Sequence, residues 1–454
     1  MARAKKEAAL TPEERLQAAL VPDWEWPYKL PENWCWTRHN SIMDIVGGAQ
    51  PEKAFFIREP KEGYVQLYQT RDYGENPVPV YIPQKYATKT TDEGDILLAR
   101  YGGSLGKVFR AHKGAYNVAL AKVIILYPEV VDDEFLYLYY YSHFYQDFCI
   151  KAGYGRSAQA GFNKSDLNEL LFPLPPFIEQ RRIVERIESL FAKLDEAKEK
   201  AQAVVDSFET RKAAILHKAF TGELTAKWRR THGLSLDTWK EVAADSLFEY
   251  VTSGSRGWAK YYDESGAVFI RMGNLDHGTI ELDFSDIQHV KLPNKAEGQR
   301  SRIRKNDILI SITADVGMVG LVRNDDFEGY INQHIALARP VMSESAEFIA
   351  WYLVSDIGLK QMQEKQRGAT KVGLNLNDIR ALQLKIPLIE EQNEILKVIK
   401  MWIGKEQQSQ EAAEAVLDQI DLMKKSILAR AFRGELGTND PNEESAVELL
   451  KQII

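Results

Sequence analysis

Lys212-Ala-Ala-Ile215-Leu216-His-Lys-Ala219-Phe220-Thr-Gly222-Glu223-Leu224 returns 212 residues later as Lys424-Lys-Ser-Ile427-Leu428-Ala-Arg-Ala431-Phe432-Arg-Gly434-Glu435-Leu436. A repeat of this length decides architecture before any local element does, because each copy must build the same unit. Upstream, Pro175, Glu179, Gln180, Ile183 and Ile187 match Pro387, Glu391, Gln392, Ile395 and Ile399 at the same offset. Aligned without gaps, residues 175–224 and 387–436 are identical at 19 of 50 positions, where unrelated sequence gives roughly 3. Chance is excluded.

Fainter matches extend the duplication. Gly161-x-Asn163-x-x-Asp166 pairs with Gly373-x-Asn375-x-x-Asp378, and Asp95-Ile96-Leu97 with Asp307-Ile308-Leu309. Glu134-Phe135 through Ser142 follows Glu347-Phe348 through Ser355 at an offset of 213. Each copy is thus a diverged domain followed by a well-matched segment.

The well-matched segments predict long helices. In the first, Ile183, Ile187, Leu190, Leu194, Ala197, Ala201, Val204, Phe208, Ile215 and Ala219 alternate spacings of four and three; in the second, Ile395, Ile399, Trp402, Ala413, Val416, Ile420, Met423, Ile427 and Ala431 keep the register. Such a seam calls for coiled-coil packing. Pro175-Pro176 and Pro387 suit helix starts, and Gly222 and Gly434 suit stops, giving single helices of about 44 residues, or roughly 66 Å. A short connection then implies an antiparallel pair with one head at each end, and a two-fold closure that brings residues 10–20 near residues 444–454.

The expected fold class is α+β: two similar α/β heads separated by an antiparallel pair of long coiled-coil helices, as a pseudo-two-fold repeat. The boundaries read as an N-terminal helical segment at 1–24, heads at 25–174 and 236–386, helices at 175–224 and 387–436, a linker at 225–235 and a helical tail at 437–454. Strand-like runs such as 78–82, 95–99, 122–126, 267–270 and 307–310 predict the sheets. One helix is expected over 135–148 and another over 347–366.

Composition narrows the function. The chain is 44% hydrophobic and 27% charged, ordinary for a globular protein. Cys35 and Cys149 stand alone, without a second ligand at zinc spacing. No apolar run suits a membrane span or signal core, so a cytoplasmic protein is expected. A net charge of −7 means that any nucleic-acid role relies on local basic loops or on partner subunits.

Such loops exist. In head 1 they offer Arg71, Arg100, Tyr101, Ser104, Lys107, Asn117, Arg156, Ser157, Gln159, Asn163 and Lys164; in head 2, Arg256, Arg271, Asn274, Thr313, Asp315, Asn332, Gln333, Arg367, Thr370, Lys371 and Asn375. Gly-permitted loops with these side chains suit phosphate positioning and base-edge hydrogen bonds. Each also has a plainer reading: isolated Arg and Lys are commonly solvated, and Asn163 with Asp166 can simply cap a turn. His334 reads as structural. A cluster of Arg300, Arg302, Arg304 and Lys305 stands apart in head 2.

Rival classes remain. Gly102-Gly-Ser-Leu-Gly106-Lys107 approaches a phosphate loop, but the Gly-to-Gly gap is one residue short and Val108 stands where Ser or Thr holds magnesium. A coiled-coil adaptor with two protein-binding heads is the other alternative. No methyltransferase, zincin or hydrolase motif appears, so no catalytic residue, metal site or bound cofactor is expected.

Two diverged heads, two repeated helices, and the paired signatures Pro-x-x-x-Glu179-Gln180-x-x-Ile183 and Ala-Phe-x-Gly-Glu-Leu resemble the specificity subunit of type I restriction-modification systems. The resemblance covers nearly the whole chain. It implies that each head is a target-recognition domain for one half of a bipartite double-stranded DNA site. It also implies that the helices set the half-site spacing and dock two adenine methyltransferase subunits, with restriction motor-nuclease subunits able to join. S-adenosylmethionine, ATP and Mg then belong to the partner subunits. Glu179, Gln180, Phe220, Glu223, Glu391, Gln392, Phe432 and Glu435 are the candidate spacer or partner-binding residues.

Overall fold

The computed structural model describes residues 11–154, 161–292, 297–366 and 373–453. Two compact units emerge, one from residues 1–199 with 416–454 and one from residues 200–415.

In the first unit the central sheet runs Met43–Gly47, Leu120–Ile125, Ile96–Ala99, Val108–Arg110, all neighbours antiparallel. Every residue of Ile96–Ala99 is buried, as a continuous apolar run in an inner strand requires. A second sheet orders Tyr81–Pro83, Tyr64–Tyr68, Gly114–Tyr116, Thr90–Thr91, with Tyr64–Tyr68 and Gly114–Tyr116 parallel. Cys35–Arg38 pairs with Leu171–Leu174, so the chain enters and leaves the head side by side.

The second unit repeats this topology. Phe248–Ser253, Ile335–Pro340, Ile308–Ser311 and Val319–Leu321 form the same antiparallel order, and Ala267–Ile270 lies parallel to Gly329–Ile331. Lys240–Ala243 with Gln383–Ile386 closes the head. Among the described residues the sheets of the two heads differ at their edges: the strand pair Thr90–Thr91 with Gly114–Ala115 is reduced in head 2 to the single bridge Arg302–Tyr330. Conversely, the pairing of Tyr262–Asp263 with residues 289–290 is reduced in head 1 to the bridge Ile57–Tyr81.

Several elements depart from the sequence reading. The first long helix is two, Phe177–Asp206 and Phe208–Phe220. At Ser207 the hydroxyl bonds back to the carbonyls of Ala203 and Val204, competing with the backbone ladder. The equivalent residue in the second copy is Gln419, and Ile389–Ala431 is continuous over 43 residues. The helices expected over 135–148 and 347–366 are likewise split, into Asp133–Tyr139 and His143–Tyr154, and Ala346–Val354 and Asp356–Lys365. Ser355 is the reason in the second: at φ −63°, ψ 160° it ends one helix and its hydroxyl caps the next at Gly358 N–H. Residues 225–235 are folded too: they hold the helix Ala226–Thr231, with Arg229 buried.

Each unit contains an antiparallel helix pair. In the first, Asp195 meets Lys424 at 2.5 Å, and Ile183, Ile187, Leu428 and Ala431 share one core with the head. In the second, Arg211 bonds Glu406 at 2.5 Å, and Leu216, Ala219, Ile395 and Ile399 share the other. The seam is narrower than expected, since Trp402, Val416 and Met423 remain 42, 41 and 47% exposed. Two helices cover only one stripe of each other.

The helix-end phenylalanines explain the matching segments. Phe432 packs on Phe135 and Tyr139, at 5.1 and 5.6 Å between ring centroids; Phe220 packs on Phe348 and Tyr352, at 5.3 and 5.1 Å. Each helix end therefore plugs the head it does not come from. The termini meet as expected: Ala446–Ile453 packs on Pro12–Ala19, and Ala446 N–H donates to Asn33 O at 3.0 Å.

Candidate nucleic-acid interface

Three loops converge at one end of each central sheet. In head 1, Tyr101, just past Ile96–Ala99, forms a bridge with Gly161, and its hydroxyl donates to Asn163 Oδ1 at 3.2 Å. Arg100 donates from Nε to Val118 O at 3.1 Å and lies over the Tyr101 ring at 4.7 Å. The loops 100–107, 117–119 and 161–164 are thereby one surface. A Cβ on Gly161 would stand 2.3 Å from Arg100 O, so only glycine permits this approach.

Head 2 has the same construction with other side chains. Thr313 bridges Gly373, the Thr313 hydroxyl bonds His334 Nδ1, and Gln333 Nε2 lies 2.8 Å from His334 Nε2. Asp315 pairs with His277 at 2.8 Å, both exposed. The remaining shared part is the turn after the parallel strand: Gln69 N–H donates to Asp72 Oδ2 at 2.8 Å in head 1, and Arg271 N–H to Asn274 Oδ1 at 2.8 Å in head 2. Arg271 thus corresponds to Gln69.

Not all candidates face outward. Asn117, Asn274 and Asn332 are 9, 4 and 9% exposed. Asn274 gives its amide to the carbonyls of Asp283 and Asp286, while Asn117 and Asn332 accept from Ala119 and His334 N–H. Asn375 caps the helix Leu376–Arg380, and Asn163 N–H is held by Asp166. These side chains shape the loops. Lys164 pairs with Asp44 at 2.6 Å and Arg271 with Asp286 at 2.8 Å. Arg71, Lys107 and Arg256 are exposed, and Ser104 ends a short 3₁₀ turn. Arg156, Ser157, Gln159, Arg367, Thr370 and Lys371 lie outside the described residues.

The phosphate-loop reading fails on topology. The segment 102–107 joins two antiparallel strands, Ile96–Ala99 and Val108–Arg110, and no helix follows whose N-terminus could hold phosphates.

The paired Glu-Gln signatures also need correction. Glu179, Gln180, Glu391 and Gln392 are at most 3% exposed, and Phe220 and Phe432 at most 1%; of the eight, only Glu223 and Glu435 are exposed. Glu179 accepts from Trp34 Nε1 at 2.8 Å, Asn439 Nδ2 at 2.9 Å and Thr438 Oγ1 at 3.2 Å. Glu391 accepts from Trp239 Nε1 at 3.0 Å, Thr225 Oγ1 at 2.7 Å and the buried Arg229 guanidinium. Burial raises the Glu179 carboxyl above its ordinary range. Glu179 and Glu391 are internal clasps, since a buried carboxylate requires this many donors, and all six buried side chains are spent on packing within the chain. Trp34, Trp239 and Arg229 escaped the sequence reading. The signal for the first two was the tryptophan standing just before each closing strand.

Among the described residues no group of three His, Cys, Asp or Glu could hold a metal, and no helix is long and apolar enough to cross a membrane. Fold and loops define a duplicated recognition protein, two heads of one topology with different side chains at the same loops. The model of the type I restriction modification DNA specificity domain matches twice, at residues 31–205 and 237–414, and the chain belongs to this family of type I restriction-modification specificity subunits. It is 25% identical to the EcoBI type I restriction enzyme specificity subunit of Escherichia coli, over 93% of this chain and 92% of that one. It is 24% identical to the EcoKI specificity subunit of E. coli strain K12, over 94 and 96%. The HsdS subunit from Thermoanaerobacter tengcongensis shares the fold, with TM-score 0.58 and 19% identity, covering 90% of this chain and 99% of that one. A chain from a structure of type I R-M complex assembly gives TM-score 0.65 at 20% identity, over 90 and 100%.

Proposed function

We propose that each head reads one half of a bipartite DNA site, that the helices set the distance between the halves, and that the chain docks two adenine methyltransferase subunits while performing no bond chemistry itself. The observation that carries this reading is the three-loop surface made twice on one scaffold, with Arg100, Tyr101 and Lys107 in one copy and Thr313, Gln333 and Asp315 in the other. A common backbone with different hydrogen-bonding groups suits two readers of different sequence. Bidentate or water-bridged base contacts of this kind discriminate by roughly 1 to 3 kcal/mol each. With a net charge of −7, much of the phosphate affinity falls to the methyltransferase subunits, and restriction subunits join for cleavage.

The test is selection from a randomised duplex pool by this chain with its methyltransferase. The expected product is a split motif, and Arg100→Ala alters only one half of it. A single continuous motif, or none, refutes the reading and favours a protein-binding adaptor.

A further inference from the structure

Head 2 has a cavity that the reading loops do not use. It measures about 570 Å³ and opens beside the start of Ile308–Ser311, lined by Arg300, Arg302, Arg304 and Arg339 with the rings of Tyr250 and Phe327. Thr313 lies past the other end of that strand. The six steps from Asp307 to Thr313 span roughly 20 Å at 3.3 Å per residue, so the cavity is separate from the candidate interface.

Arg339 is already neutralised, bound twice at 2.7 Å to the buried Asp307. Among the described residues the Arg300 side chain donates only to Ser255 Oγ, at 3.2 Å. Among the described residues, neither Arg302 nor Arg304 is in an ion pair, and both are exposed; nor do the wall carboxylates Glu249 and Asp325 approach any cation to ion-pair distance. Three guanidinium groups thus border one cavity without an ion-pair partner among the described residues. Such convergence raises the local positive potential and suits a planar or tetrahedral oxyanion.

Head 1 shows that the fold does not demand these arginines. Asp95 holds Asp92 N–H at 2.8 Å as Asp307 holds Arg304 N–H at 2.7 Å, and Thr90 bridges Ala115 where Arg302 bridges Tyr330. At the same 212-residue offset, Thr88, Thr90, Asp92 and Glu93 replace Arg300, Arg302, Arg304 and Lys305. The backbone is kept and the charge is reversed.

We propose that this cavity of head 2 binds a phosphate-bearing anion, supplied either as a free polyphosphate or as backbone phosphate of DNA outside the half-site that head reads. The DNA source rests on the reading proposed above; the free source does not. The test compares the full chain with Arg302→Ala plus Arg304→Ala, two exposed changes that spare the Asp307–Arg339 pair, with unfolding midpoints as the control for folding. Calorimetric titration with inorganic tripolyphosphate that binds the unaltered chain and weakens tenfold or more in the variant identifies the free anion. No tripolyphosphate binding, with a salt-dependence slope for duplex affinity reduced by about 2 at roughly 0.9 per phosphate, identifies the DNA backbone. If neither response is seen in a folded variant, the proposal is overturned. Should the variant not fold, phenylglyoxal labelling of Arg302 and Arg304 in the unaltered chain replaces it: protection by tripolyphosphate or duplex supports the site, and equal labelling throughout refutes it.

Discussion

Replacing the same signature glutamate by glutamine should have opposite consequences in the two copies. At Glu391, one oxygen accepts from Arg229 and Thr225 and the other from Trp239. A glutamine has one acceptor oxygen and one NH₂. With its oxygen toward Arg229, the NH₂ confronts the Trp239 N–H; flipped, it confronts a buried guanidinium. Either way a buried donor is left unsatisfied, at roughly 1 to 3 kcal/mol, and a charge-assisted bond worth roughly 1.5 to 3 kcal/mol is lost. The sum agrees with the roughly 3 to 5 kcal/mol for breaking a buried ion pair. A loss of about 3 kcal/mol in a unit of this size lowers its Tm by roughly 6 to 12 °C.

At Glu179 the geometry is kinder. Trp34 and Asn439 share one oxygen, and only the Thr438 hydroxyl addresses the other. The amide oxygen of a glutamine keeps the first two, and the hydroxyl turns to accept from NH₂. Glu179 pays for its burial with a raised pKa, so glutamine should leave the first unit unchanged or stabilise it near neutral pH. Hydrogen exchange read separately on peptides from residues 31–45 and 237–253 distinguishes the units. Equal destabilisation by Glu179→Gln and Glu391→Gln, or protection of head 2 unaltered in Glu391→Gln, refutes the reasoning.

Burial lowers the His39 pKa to about 4, with the ring bonded to Tyr140 and Asn40. The unfolded chain therefore takes up this proton first, and the first unit should lose about 3 kcal/mol between pH 6.5 and 4; in His39→Gln, denaturant unfolding followed against pH should show that slope flattened. Gly254→Ala places a Cβ 2.1 Å from Ile331 O, which is backbone and yields poorly, so binding selection should show the second half-site degraded and the first retained. Four residues added to each long helix, after Glu199 and after Ala415, lengthen it by about 6 Å while adding about one turn. Methylation mapping should then show a gap longer by about two base pairs with both halves unchanged. An unaltered gap would remove the spacing role.

What was legible in the sequence was whatever periodicity or repetition encodes. The apolar runs at 96–99 and 308–310 are inner strands because both their faces are buried, and the heptad positions Ile183, Ile187, Ile395 and Ile399 are core. Hidden were effects of single side chains on local backbone. Ser207 interrupts a helix that Gln419 leaves whole, and Ser355 divides another by capping it. The burial of Glu179 was also illegible, since its donors Asn439 and Thr438 lie some 260 residues away. Of the candidate interface, the loops were legible and the roles within them were not: Asn117, Asn274 and Asn332 look like readers in sequence and serve as braces in space.

The crossed packing of the helix ends accounts for which parts of the repeat resist divergence. Phe220 must fit the pocket made by Phe348 and Tyr352, and Phe432 the pocket made by Phe135 and Tyr139, so each copy is matched to a socket supplied by the other. A change in one plug without a change in the opposite socket opens a cavity or a clash, at roughly 3 to 5 kcal/mol for a buried phenylalanine removed. The described loops at the sheet ends bond within their own head instead, Tyr101 to Asn163 and Thr313 to His334. Tyr101 can stand where Thr313 stands in the other copy, because the Gly161 and Gly373 bridges fix the backbone there and let the side chains differ.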